Sequence, residues 1–354
     1  MMDDLKTTRR GRHRAVLTAA SAASLCVAVA ACGSSGGHKS SGTGSGGGSG
    51  GASLTTLKIA YDFPGIDFEA VPFVVGNKQG FYAKQHLKVS VIIPPDTSTT
   101  VKMVARGLAD IGFDTTADVA FARASNIPIT SIGNYSMQNN WGLITNPGDP
   151  VNINQLKGKS IGVFTDSWTK SMMPFVLKAG HVTASEVKEI IFTSNDLTPM
   201  LAHKIDIATN TTNYALAGIK SSTGKNPEVA LGTKFGAPNV PIWDYTAMSS
   251  WLQSHGTEAR EFLAATAQAT QWAISHPTQA VNEFIAAYPK NGESAKYNQI
   301  GWKATIPFLK NKQGRLLTQT NTEWTQITGA LKSAKQISTV YPPSKYYTNA
   351  YLPK

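Results

Sequence analysis

The chain of 354 residues has only two cysteines, Cys26 and Cys32. Everything beyond Cys32 is free of thiols, so it can form no disulfide, no thiolate metal site and no cysteine nucleophile. Histidine is also scarce: seven are scattered along the chain, with no pair at the spacing of metal ligands. No set of nucleophile, base and oxyanion stabiliser can be named, so the sequence gives catalysis little support. No apolar run reaches the roughly 20 residues that span a bilayer. Acidic residues are in deficit, 22 against 33 Lys and Arg, for a formal net charge of +11. The basic excess contains no run of five or six cations. Scattered lysines of this kind read as a solvated surface, favoured near an anionic membrane, and not as a nucleic-acid site.

What is present begins at the N-terminus. Arg9, Arg10, Arg12 and Arg14 precede an apolar stretch from Ala15 to Ala31, too short for a membrane anchor and of the length of a secretory signal. It ends in Val29-Ala30-Ala31-Cys32, which resembles the lipobox of bacterial lipoproteins, where the Cys is acylated and becomes the first residue. The expectation is therefore a signal peptide over 1–31 and an extracytoplasmic protein held to the cell membrane by lipid on Cys32. Arg9-Arg10 is not followed by a twin-arginine pattern, which leaves the export route open. Removing 1–31 takes away five basic and two acidic residues and leaves 28 and 20, a net of +8. From Gly33 to Ser53 the chain is almost only Gly and Ser. Such a segment buries too little apolar surface to offset its ordering entropy. Residues 32–53 are read as an acylated Cys and tether, with an rms reach of about 25 Å. Its Gly47-Gly48-Ser49-Gly50-Gly51 run mimics a nucleophile elbow, but no strand or helix flanks it.

The globular body runs from Leu54 to Lys354, enough for two lobes. Strand-like and helix-like segments alternate, which predicts an α/β architecture. Strands are expected at 57–61, 87–93, 109–113 and 129–132, with helices at 69–85, 97–106 and 116–124. Past Trp141 the pattern restarts, with strands at 160–164, 189–192 and 204–208 and helices at 169–179 and 197–203. Ala109-Asp110-Ile111-Gly112 and Ile205-Asp206-Ile207-Ala208 each follow a short helix as the third strand of their half, so both halves read as built on one plan. Beyond Pro241 the chain turns helical, and these helices are expected to pack on the first lobe.

An ordered set of short motifs carries a family likeness. It comprises Asp62-Phe63-Pro64, Gly80-Phe81-Tyr82, Gly107-Leu108-Ala109-Asp110-Ile111-Gly112, Ala122-Arg123-Ala124, Leu156-Lys157-Gly158-Lys159-Ser160-Ile161-Gly162-Val163, Asp196-Leu197 and His276-Pro277-Thr278-Gln279-Ala280. Together they resemble the type II periplasmic binding proteins of the nitrate, sulfonate, taurine and thiamine-pyrimidine-precursor group. The resemblance implies a two-lobe fold with two crossover segments, lobe 1 from 54–145 and 240–354 and lobe 2 from 146–239. The crossings are expected near Gly142 to Pro150 and Phe235 to Pro241. It further implies a monomeric receptor that takes a small molecule in the interlobe cleft, needs no cofactor, and serves an ABC permease and its ATPase. The fungal thiamine-pyrimidine synthases share this fold, but their Cys-rich iron-associated segment has no counterpart here. A secreted enzyme and a ligand-sensing domain remain as alternatives.

Candidate ligand contacts follow from the rule that open α/β sheets bind beyond the carboxyl ends of their strands, where helix N-termini converge. In the first half this selects Asp62 and Phe63, Thr97 and Ser98, and Asp114, Thr115 and Thr116. In the second it selects Asp166, Ser167 and Trp168, and Asn210. Trp141 lies at the first crossing, and Trp243 and Tyr245 lie just past the second. Several have plain structural readings too: Ser167 and Thr116 as helix caps, Asp62 as a partner of a neighbouring turn, Trp243 and Tyr245 as packing between lobes. A sulfonate or nitrate would use Thr97, Ser98, Thr115, Thr116 and Lys170. A flat amino heterocycle would use Asp62, Asp114, Trp141, Trp168 and Tyr245. An Asp at the exit of the first strand repels a bare anion, which favours the heterocycle.

Overall fold

The computed structural model describes residues 53–194 and 196–354. The expected signal peptide, Cys32 and nearly all of the tether lie outside the described residues. The first lobe opens with β1 (Thr55–Ala60), α1 (Val71–Lys78), β2 (Leu87–Ile92), α2 (Thr100–Ala105), β3 (Ile111–Thr115), α3 (Thr116–Ala124) and β4 (Ile129–Asn134). The second holds β5 (Trp141–Thr145), β6 (Ser160–Phe164), α4 (Ser167–Ala179), β7 (Lys188–Phe192), α5 (Leu197–Leu201), β8 (Ala208–Thr211), α6 (Thr212–Thr223) and β9 (Glu228–Leu231). The chain returns through β10 (Trp243–Met248) to α7 (Ser249–Ser254), α8 (Gly256–Ser275), α9 (Pro277–Ala287), α10 (Ala295–Thr305) and α11 (Asn321–Ser333).

The first sheet has the order β2-β1-β3-β10-β4, with β1 parallel to β2 and β3 and β10 antiparallel to both its neighbours. In the second lobe β5 is antiparallel to β8 and β9, and β6 is parallel to β7. A parallel bridge between Ile161 and Ile207 joins the two sets. Each lobe therefore receives the strand that arrives from the other as an antiparallel insert beside its third strand. That is the shared plan the sequence pointed to, with one boundary to correct. Trp141–Thr145 pairs wholly with second-lobe strands, so the first crossing lies at 135–140 and not from Gly142 onward. All five residues of β5 are buried, and its Trp-Gly-Leu-Ile-Thr run is a core strand and not a linker.

The two third strands begin later than their apolar residues predict, and for one reason. The Asp110 carboxylate accepts the Lys58 backbone N–H at 2.8 Å, and the Asp206 carboxylate accepts that of Ser160 at 2.8 Å. In each lobe an Asp side chain stands in for a ladder bond, and regular pairing starts only beyond it. The long first helix expected over 69–85 is shorter because Gly80 adopts φ +73, a left-handed turn that ends it. The 97–106 segment is a 3-10 turn at Thr97–Thr99 followed by α2. Helix capping also shifts by one residue at two places. Asp166, not Ser167, caps α4, its carboxylate accepting the Thr169 N–H at 2.6 Å. Thr115, not Thr116, caps α3 in a reciprocal capping box with Asp118.

The helical return packs on the first lobe as expected. Tyr82 stacks on Phe262 of α8 at 6.0 Å and its hydroxyl meets that of Thr266 at 2.8 Å. Polar side chains tie the crossings to each other: the Asn139 amide donates to the Pro238 carbonyl at 2.9 Å, and the Asn139 backbone N–H donates to the Asn239 side chain at 3.1 Å. The lobes also touch beside the first crossing, where the Asn140 amide donates to Asn213 at 3.0 Å. The buried Asn213 of α6 donates to Glu69 at 2.9 Å and to the Thr305 hydroxyl of α10 at 3.0 Å.

Candidate functional site

Loops from both lobes enclose a cavity of about 350 Å³. One wall is the segment after β1, from Phe63 to Asp67, joined by Trp243 at the start of β10. The facing wall is the end of β6 at Phe164, the first turn of α4 with Asp166, Trp168 and Thr169, and the exit of β8 at Asn210 and Thr211. Asn291, Glu293 and Tyr297, in the turn into α10, close one side.

Aromatic rings from both lobes form part of the wall. The Phe63 ring lies 5.3 Å from Trp243, 5.8 Å from Tyr214 and 6.3 Å from Phe164 between centroids. The Trp141 Nε1–H donates to the Thr169 hydroxyl at 3.1 Å. Trp168 is only 2 % exposed, yet its indole N–H has no partner, and neither has the Thr211 hydroxyl.

The ionisable acids of the wall are Asp67, Asp166 and Glu293, set among neutral hydroxyls and amides such as Thr169, Asn210, Thr211 and Asn291. Asp67 accepts the Tyr61 hydroxyl at 2.8 Å and the Glu69 N–H at 2.9 Å through one oxygen, and the Tyr214 hydroxyl at 2.6 Å through the other. Because Tyr214 belongs to α6, this carboxylate joins the two lobes. Burial pushes Asp67 up and the donors oppose that rise. Burial also pushes Asp166 up to about 6, against the Thr169 N–H, with the Asp118 charge adding to the rise. Glu293 is raised by partial burial and then by the Asp67 charge.

Further carboxylates stand behind the wall. Asp62 is 1 % exposed, one of its oxygens is unpartnered, and burial followed by the charges of Asp118, Asp114 and Asp166 holds its carboxyl well above the usual range. Asp114 accepts the Thr246 hydroxyl inside the sheet and is pushed up to about 8 by burial and the Asp118 charge. Asp196 is raised to about 7 by burial, while it accepts the Thr209 N–H at 2.9 Å. Among the described residues, no Lys, Arg or His lines the cavity. Both ion pairs among the described residues, Lys157–Glu186 and Lys159–Asp206, lie on the exposed side of the second lobe.

Of the residues selected from sequence, Phe63, Trp141, Trp168, Asn210 and Trp243 line the cavity, as does Asp166. The others are placed elsewhere. Asp62 and Asp114 are buried behind the wall. Thr97 and Ser98 sit in the turn after β2, where Ser98 donates to Asp96 at 2.8 Å. The Thr115 and Ser167 hydroxyls meet at 3.1 Å as a bond between the lobes, and Thr116 donates to the Pro241 carbonyl at 2.8 Å. Tyr245 packs in the first-lobe core against Phe73, Phe113 and Phe262. Lys170 is exposed and off the wall. Asp67, Tyr214, Glu293 and Tyr297 were missed. Tyr214 stands in the first turn of α6 as Trp168 stands in that of α4, so the strand-exit rule would have found it if carried one turn further. Glu293 and Tyr297 come from the helical return, which that rule does not reach. The described residues contain no group of three or more His, Cys, Asp or Glu arranged to hold a metal.

Two α/β lobes, each completed by a strand from the other and closed over an aromatic cavity, define a protein of the two-lobe periplasmic-binding-protein fold. The chain belongs to the NMT1/THI5-like family, whose model matches residues 67–280. It is 25% identical over 255 residues to a Haemophilus influenzae protein named for thiamine biosynthesis, covering 69% of this chain and 77% of that one. It is 22% identical over 284 residues to a Legionella pneumophila 4-amino-5-hydroxymethyl-2-methylpyrimidine phosphate synthase, covering 80% and 88%. Among solved structures, the periplasmic aliphatic sulphonate binding protein of Escherichia coli superposes with a TM-score of 0.62 at 14% identity, covering 83% of this chain and 92% of that one.

Proposed function

We propose that this chain is an extracytoplasmic receptor that captures a small amino heterocycle, of the thiamine-precursor pyrimidine type, between its lobes. In this reading it is a binding protein and not an enzyme. It is anchored through lipid on Cys32, acts as a monomer, and delivers its ligand to an ABC permease and ATPase. One observation carries the ligand class: the cavity wall combines aromatic rings with the carboxylates of Asp67, Asp166 and Glu293 and contains no cation. Rings cover the faces of a flat heterocycle, and carboxylates accept its N–H groups. The names of the thiamine-related relatives agree with that chemistry. A sulfonate receptor is the second reading, favoured by the name of the Escherichia coli neighbour. Against it, an anion in this cavity would face carboxylates with no compensating charge.

A ligand that binds only the folded state stabilises it by RT ln(1 + [L]/Kd), about 2.7 kcal/mol at a hundredfold excess over Kd. A melting-temperature series with 4-amino-5-hydroxymethyl-2-methylpyrimidine, taurine, an alkanesulfonate and nitrate should give a concentration-dependent rise with the pyrimidine and no product on long incubation. A rise with the sulfonates alone would replace the ligand class. Steady conversion of the bound compound would replace the receptor with an enzyme.

A further inference from the structure

We propose that the cavity selects the ligand by charge, taking an organic cation that carries no phosphate or sulfonate group. This rests on the reading of the cavity as an amino-heterocycle site and narrows it. The first support is the composition of the wall. Asp67, Asp166 and Glu293 face the space, and no Lys, Arg or His does. The second is what lies behind it. Asp62 is fully enclosed with an unpartnered oxygen, and Asp114 and Asp196 are buried close by, again with no ion pair to offset them. Burial favours the neutral form of these acids in the empty cavity, but a cation entering beside them favours their ionised form, whereas an anion finds no positive charge to meet it. The third is the rings. Phe63, Trp168, Tyr214 and Trp243 present π faces and edges to the same space, and a ring face attracts a cation. Among the described residues Lys and Arg stay off the wall, and the acidic side chains there run against the sign of the whole protein.

The consequence separates this chain from relatives named for a phosphate ester. A phosphate group brings about −1.5 to −2 charges, which this wall would repel. The unphosphorylated ring fits, above all when a ring nitrogen is protonated or alkylated.

The test compares two molecules of one shape. N-methyl-4-aminopyridinium and 4-methylaniline differ essentially by one positive charge near neutral pH. Calorimetry on the full chain should show the pyridinium binding at least about tenfold tighter, the scale of a desolvated cation–π contact with a carboxylate nearby. Asp166→Asn retains a capping side chain for α4, and Glu293→Gln alters an exposed position, so both variants should fold. Each should lower the ratio of the two affinities. In the same experiment the phosphate ester of 4-amino-5-hydroxymethyl-2-methylpyrimidine should bind at least about tenfold more weakly than the free alcohol. Equal affinities within either pair, or a ratio untouched by both variants, would overturn charge selection and leave the heterocycle receptor standing. Binding of an alkanesulfonate to the exclusion of every amine would remove both.

Discussion

The carboxylates of the outer surface and those of the interior are one functional group under opposite conditions. On the outside, Asp206 accepts Ser160 and Lys159 in water and is held down at about 2. Glu186 beside Lys157 and Thr183 is likewise lowered to about 2. In the interior, Asp62, Asp114, Asp166 and Asp196 have hydroxyls or backbone N–H groups as partners but no cation, and burial raises them all. The difference shows that proximity of polar partners does not fix the ionisation of an acid. What decides it is whether a positive charge or water is present to replace the lost hydration.

The largest expected effect is on stability against pH. The folded pKa of Asp114 lies near 8, above an unfolded value of about 3.9. Its contribution is therefore fully present below about pH 4 and is lost as pH rises towards 8. The slope for one such group is about 1.4 kcal/mol per pH unit. Urea unfolding of the ligand-free protein should show stability falling between pH 5 and 8, and Asp114→Asn should flatten that fall by about one group's share. An unchanged slope would mean that the interior acid is not held neutral.

Next in size is the contribution of the rings to binding. Trp168→Ala should weaken the ligand found in the melting series by about 1–3 kcal/mol through lost ring contact and burial. An equal affinity, read by calorimetry, would move the ligand away from the first turn of α4. The smallest effect belongs to the exterior. Asp206→Asn removes an exposed ion pair and should change stability at pH 7 by only about 0.5 kcal/mol. That contribution is present above about pH 4 and disappears as pH falls towards 2, the reverse of the interior pattern. A larger loss would show that the strand-start bond to Ser160 carries more than its exposure implies.

Much of the fold could be read from local pattern. The helix expected over 116–124 is α3, and the strand expected over 160–164 is β6. The third strands were misplaced because apolar spacing cannot show that Asp110 and Asp206 replace ladder bonds. The first crossing was misplaced because Trp141–Thr145 finds its partners far along the chain. The same limit governs the site. Strand exits pointed to Phe63, Trp168 and Asn210, whose neighbours are local. Asp67 and Tyr214 become neighbours only when two lobes close, and Glu293 only when the turn into α10 folds back over them. No spacing rule contains those distances. Tyr245 misled in the opposite sense, since an aromatic just past a crossing can equally face the core of its own sheet.

The side-chain bonds between Asn139 and the Pro238–Asn239 segment bear on motion. Two separate linkers would let one lobe slide, twist and swing against the other. Two linkers pinned together act as one axle, and rotation about it is the single easy degree of freedom. Asn213, which the Asn140 amide holds at 3.0 Å, and its neighbour Tyr214 stand beside that axle, so their bonds to Glu69 and Asp67 are the ones a given swing would move least.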